Sequence, residues 1–125
     1  MCKKRIFIVD DSVTNLLLLN DILIDEGYII DTFVCPADAL SRIRTLTPDL
    51  ILLDLHMPGL NGFQFYEKIK NRNIPVIIVS ANVNPTIIDR AFALGVMDYI
   101  TKPIQIKCVL EKVNQILYKA DDMIN

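Results

Sequence analysis

Apolar residues gather in short runs that stop on a polar group, with helix-like segments between them. Ile6-Phe7-Ile8-Val9 closes on Asp10-Asp11, Ile51-Leu52-Leu53 on Asp54, Val76-Ile77-Ile78-Val79 on Ser80-Ala81, and the stretch from Val96 to Thr101 on Lys102-Pro103. Runs this short and this continuously apolar read as strands buried on both faces. Strands are expected near Arg5–Val9, Ile29–Phe33, Leu50–Leu53, Val76–Val79 and Met97–Ile100. The first, third and fourth belong in the middle of a sheet, whereas Ile29-Ile30-Asp31-Thr32-Phe33 admits polar groups and belongs nearer an edge.

Alternation of strands with helices is the signature of repeated βα units, whose strands lie parallel with right-handed crossovers. Asn61 with Gln64 three positions on forms a helix-start signal, as does Asn84 followed by Pro85. Gly27 and Gly95 mark the expected ends of the first and fourth helices. The fifth helix runs from roughly Ile104 to Lys119, leaving only Ala120–Asn125. The fold class is therefore α/β, an open five-stranded parallel sheet with helices on both faces. All 125 residues are expected to form a single domain, with no output domain in the chain.

Composition narrows the function. Thirteen basic and fifteen acidic residues, mixed along the chain for a net charge of -2, leave no basic stripe for a phosphate backbone, so direct nucleic-acid binding is not expected. Basic residues at Lys3-Lys4-Arg5 precede an apolar run of four residues, too short for a signal or membrane segment, and a cytoplasmic protein is expected. Cys2, Cys35 and Cys108 lack metal-ligand spacing and read as reduced packing thiols.

Ligands of an open parallel sheet bind beyond the carboxyl ends of its strands, and Asp10, Asp11, Asp54, Ser80 and Lys102 all fall there. Three carboxylates drawn together repel unless protons or cations relieve them, and Lys102 supplies one positive charge. A hard divalent ion with oxygen ligands, Mg²⁺ rather than an enclosed Ca²⁺, meets the remainder. A carboxylate beside Mg²⁺ and a lysine, with a hydroxyl close by, is set to attack a phosphoryl group and form an acyl phosphate. Asp54 would be the nucleophile. The Ser80 hydroxyl and the Ala81 N–H would bond the transferring oxygens, and small Ala81 would leave the donor room to approach.

Asp10-Asp11, Asp54 with Met57-Pro58-Gly59 behind it, Ser80-Ala81 and Tyr99-Ile100-Thr101-Lys102-Pro103 together resemble the receiver domain of two-component response regulators over nearly the whole chain. The resemblance implies a flavodoxin-like, doubly wound sheet of strand order 2-1-3-4-5, as in chemotaxis regulators. It implies that Asp54 accepts phosphate from a histidine kinase or histidine phosphotransfer protein. Asp11, Asp54 and the His56 backbone carbonyl would hold Mg²⁺, and Asp10 would orient metal-bound water. Lys102 would bind the phosphate, the Lys102–Pro103 peptide would be cis, and Ser80 and Tyr99 would form a switch in which Tyr99 turns inward. The face of the fourth helix, fifth strand and fifth helix would then change shape for a downstream effector protein or a fused output domain. Whether phosphorylation also drives a homodimer is left open.

Two features are more individual. His56 and Asn82 are expected to flank the path of the water that hydrolyses the acyl phosphate and so to set its lifetime. On the first helix Leu18, Leu19, Ile22 and Leu23 form the expected buried stripe, with Leu17 and Ile24 opposite and Leu16 at the margin of a docking patch. Rival classes fare worse. An aspartate-nucleophile phosphatase wants Asp-x-Asp where Ser12 stands, and the glycine-rich nucleotide motifs are missing. The alternative that keeps the fold is a receiver-like module working through protein contacts without phosphorylation. In neither case is an external substrate turned over; self-catalysed phosphorylation and dephosphorylation is the most enzyme activity expected.

Overall fold

The computed structural model describes residues 3–124, with side chains described as far as Tyr118. Five βα units follow one another: β1 (Arg5–Val9), α1 (Val13–Ile24), β2 (Ile29–Phe33), α2 (Pro36–Ile43), β3 (Leu50–Leu53), α3 (Gly62–Ile69), β4 (Val76–Ser80), α4 (Pro85–Leu94), β5 (Asp98–Thr101) and α5 (Ile106–Ile124). A short 3-10 turn, Lys70–Arg72, extends α3. The strands form one parallel sheet in the order β2-β1-β3-β4-β5. β1, β3 and β4 are central, and β2, whose residues are only partly buried, is an edge.

Successive side chains of a strand point to opposite faces, so the central strands feed two separate cores. Ile6, Ile8, Leu50, Leu52, Ile77 and Val79 pack with Leu19 and Leu23 of α1 and Val109 and Val113 of α5. Phe7, Val9, Ile51, Leu53, Val76 and Ile78 pack on the other face with Ala39 and Ile43 of α2, Phe65 and Ile69 of α3 and Ala91 of α4. Full burial of strand residues on both faces is what their unbroken apolar runs require.

Most of the expected punctuation is present. Asn61 and Gln64 form a reciprocal capping box at α3, each side chain accepting the other's backbone N–H at 2.9 Å. Asn84 caps α4, and Gly95 ends it in the left-handed region at φ 115°. Some boundaries differ. Ser12 caps α1, accepting the Asn15 N–H, and the helix closes at Asp25, so Gly27, at φ 91°, turns the chain beyond the cap. β5 begins one residue later than expected, leaving Met97 exposed, and α5 begins at Ile106 and continues past Lys119.

The first helix also corrects the expected stripe. Leu16 is buried at 5% exposure and Leu18 is exposed, because the face that meets β1 and α5 is Leu16, Leu19, Ile22 and Leu23. Leu17 and Ile24 are exposed as expected, at 59% and 52%. Cys35 is exposed at the N-terminus of α2 and is not a packing thiol. Cys108 does pack, against the core under α5, both are free, and Cys2 lies outside the described residues. Among the described residues no helix is long and apolar enough to cross a membrane.

Gly62 opens α3 pressed against the loop that follows β3. A Cβ there would stand 2.6 Å from the Asp54 carbonyl oxygen and 2.8 Å from the Leu55 Cα, distances that only backbone displacement relieves. In urea denaturation Asn61→Ala is expected to cost about 1 kcal/mol through the lost cap. Gly62→Ala is expected to cost about 1–3 kcal/mol by overpacking, each with an unchanged denaturant slope. Equal stability of Gly62→Ala and the parent would mean that the loop yields freely.

Candidate functional site

The register of the central strands brings the acidic residues together. Val9 pairs with Leu53, and the Asp54 N–H donates to the Val9 carbonyl at 2.9 Å, so Asp10 and Asp54 leave adjacent strands at the same level. Ser80 pairs with Thr101, and the Lys102 N–H donates to the Ser80 carbonyl at 2.9 Å, which sets Lys102 over the same rim. The Lys102–Pro103 peptide is cis, as the resemblance implied.

Asp10 and Asp54 are buried and Asp11 is exposed, and one carboxylate oxygen from each lies within 4.8 Å of the other two. The Lys102 ammonium sits 3.1 Å from Asp10 Oδ2 and 3.6 Å from Asp54 Oδ2. Asp54 Oδ1 also accepts the His56 N–H at 3.3 Å. Burial, and then the charge of Asp10, hold the Asp54 carboxyl above the usual carboxylate range, against the opposing pull of Lys102. One ammonium among three carboxylates leaves negative charge uncompensated. An all-oxygen donor set with that surplus fits a hard divalent cation such as Mg²⁺.

Around this cluster, Ser80 is fully buried, its Oγ accepting the Asn82 N–H at 3.1 Å, and Ala81 beside it is exposed. The exposed His56 ring places Nε2 3.4 Å from Asn82 Nδ2, so the two side chains meet at the rim. Tyr99 faces inward: its ring is buried and its hydroxyl donates to the Asn82 carbonyl at 2.7 Å. Burial pushes the Tyr99 phenol above its ordinary value, which keeps it a proton donor at neutral pH.

Leu16, expected at the margin of a surface patch, faces the core instead, and Val13, at 58% exposure, lies in line with Leu17 and Ile24 on α1. Two other contributors were missed. Ser12 donates its N–H to Asp10 Oδ1 at 2.9 Å while its hydroxyl caps α1, and a Ser just ahead of an apolar helix is a readable cap signal. Gly62 bonds its N–H to the Leu55 carbonyl at 2.9 Å and so braces the backbone that carries Asp54; only its place after the Asn61 cap hints at this.

Residues 6–114 match the family model described as the response regulator receiver domain. The chain is 35% identical over 118 residues to the chemotaxis protein CheY of Treponema pallidum, covering 90% of this chain and 82% of the relative. It is 32% identical over 123 residues to the DNA-binding response regulator MtrA of Mycolicibacterium paratuberculosis, covering 96% of this chain but 54% of that longer protein, about half its length. A solved response regulator receiver domain protein from Methanospirillum hungatei superposes with a TM-score of 0.88 at 27% identity, covering 98% of this chain and 99% of the other. Sheet order, clustered aspartates and these likenesses agree, and the chain belongs to the response regulator receiver domain family of two-component signalling.

Proposed function

We propose that Asp54 is the phosphoacceptor and that this domain takes a phosphoryl group from a phosphohistidine donor, a histidine kinase or a histidine phosphotransfer protein, in the cytoplasm. The observation that carries the reading is the meeting of Asp10, Asp11 and Asp54 oxygens within 4.8 Å of one another beside the Lys102 ammonium. Asp11, Asp54 and the His56 carbonyl would hold Mg²⁺, with Asp10 orienting its water. When bound, the ion would offset the charge that burial and Asp10 make costly on Asp54.

In the transfer an Asp54 carboxylate oxygen forms the bond to phosphorus, the phosphorus–nitrogen bond of the donor breaks, and its electron pair stays on the leaving imidazole. Lys102, the Ser80 hydroxyl and the Ala81 N–H bind the phosphoryl oxygens, positions that suit charge developing on the transferring group. Exposed Ala81 leaves the approach open. His56 and Asn82, in contact at the rim, stand where water must pass to cleave the acyl phosphate. Switching begins at Ser80 and passes through the buried Tyr99 ring to the α4, β5 and α5 face. The donor docks on the exposed α1 stripe of Val13, Leu17 and Ile24, and the switched face meets a downstream effector protein or an output domain.

Incubation with Mg²⁺ and acetyl phosphate is expected to add one phosphoryl group to the intact mass, lost in Asp54→Asn. Absence of any gain in the folded parent would leave the phosphorylation-independent interaction module as the reading. On the phosphorylated protein, His56→Ala and Asn82→Ala are expected to change the rate of hydrolysis, and an unchanged rate in both would remove their assignment. Leu17→Glu is expected to slow transfer from a phosphorylated histidine donor protein far more than transfer from acetyl phosphate; equal slowing would place docking elsewhere.

Stability carries the same charge imbalance. The Asp54 pKa is raised on folding, so the folded state holds the proton more tightly. Its contribution to stability is complete below the unfolded carboxylate pKa and is lost as pH rises through the folded value. In urea with chelator present, Asp54→Asn is expected to be more stable than the parent at neutral pH, with the gap closing toward acid. Mg²⁺ at a hundred times its dissociation constant is expected to stabilise the parent by about 2.7 kcal/mol, and Asp11→Asn far less. A parent insensitive to Mg²⁺ would show that the carboxylates hold no ion.

A further inference from the structure

Helix α4 is lightly anchored. Of its ten residues only Ala91 is fully buried, and Thr86, Asp89, Arg90 and Phe92 are exposed. Its start is fixed by polar contacts that converge on one residue of the β4–α4 loop. The Asn82 N–H donates to Ser80 Oγ at 3.1 Å, and the Asn82 carbonyl accepts the Tyr99 hydroxyl at 2.7 Å. The Asn82 side-chain Oδ1 accepts the Asn84 N–H at 2.9 Å, and Nδ2 lies 3.4 Å from His56 Nε2. Asn84 in turn caps α4, its Oδ1 accepting the Thr86 N–H at 2.9 Å.

Each polar group of Asn82 therefore goes to a different segment: the end of β4, β5, the start of α4, and the loop that carries Asp54. The orientation of the amide is determined by these partners. An amide nitrogen only donates, and turning the group over would set it against the Asn84 N–H, two donors face to face. His56 Nε2 is then the acceptor of the remaining contact.

We infer that Asn82 is a positioning residue that couples the Asp54 site to helix α4, its side-chain oxygen holding the first turn of the helix where Ser80, Tyr99 and His56 hold the loop. The functional part of this inference rests on the reading of Asp54 as phosphoacceptor; the contact network does not. When Ser80 moves to donate its hydroxyl to a phosphoryl oxygen, its Oγ still accepts from Asn82, so the loop moves with it. Asn84 follows through its bond to Oδ1, and the cap of α4 follows Asn84. Besides Ala91, α4 meets the core only through the partly buried Ile87, Ile88 and Leu94, packing light enough for its first turn to shift.

Hydrogen exchange on the parent, Asn82→Ala and Asn82→Asp tests this. In the unmodified proteins the amides from Asn84 to Ile88 are expected to exchange several-fold faster in Asn82→Ala. Asn82→Asp, which keeps an acceptor for the Asn84 N–H, is expected to stay near the parent. With Mg²⁺ and beryllium fluoride, a stable mimic of a phosphoryl group on a carboxylate, exchange in this turn is expected to change in the parent and in Asn82→Asp but not in Asn82→Ala. Parent-like exchange in unmodified Asn82→Ala would overturn the inference. So would acceleration spread evenly over the strands, the mark of a merely structural residue, or a parent-like response of Asn82→Ala to the mimic. A parent that fails to take up beryllium fluoride would instead count against the phosphoacceptor reading, with the unmodified comparison still deciding the role of Asn82.

Discussion

Repulsion among carboxylates packed at the mouth of an apolar sheet governs this molecule. The chain places Asp10 and Asp54 at the ends of adjacent central strands, where water is scarce, and adds Asp11 at the surface above them. Lys102 answers part of the charge from the end of β5. A fold optimised only for stability would not retain this arrangement, since burial and a neighbouring anion both oppose ionisation of Asp54. The imbalance suits a hard cation, because oxygens already gathered with surplus negative charge bind it without first having to reorganise.

The backbone supplies the precision. Pairing of Val9 with Leu53 and of Ser80 with Thr101 fixes the height at which each of these residues leaves the sheet, and apolar layers pack the strands on both faces. Gly62 then presses the start of α3 on the Asp54–Leu55 peptide from the side. The Asp54 backbone is thus held by main-chain geometry on several sides, while its carboxylate accepts the His56 N–H and faces the Lys102 ammonium.

Much of this was legible in the sequence because it rests on short-range rules. Continuous apolar runs gave the central strands, Asn61 with Gln64 and Asn84 with Pro85 gave helix starts, and polar residues at strand ends gave the acidic cluster and Lys102. The failures are tertiary. A helical wheel cannot say where its buried arc is centred when Leu16 to Leu19 are all leucine, and the neighbours on β1 and α5 chose Leu16 over Leu18. The Asn82 carbonyl that accepts the Tyr99 hydroxyl lies seventeen positions away, a contact beyond the reach of pattern. The need for glycine at position 62 comes from the Asp54 carbonyl, which occupies the space a Cβ would take.

The division of the interior into two cores has a consequence of its own. α1 and α5 belong to one slab, and α2, α3 and α4 to the other, with a close-packed partition of strands between them. A load on α1 is therefore borne by a different body from the one that contains α4, with the shared strands between them. Either slab can therefore drift in sequence with little effect on the packing of the other.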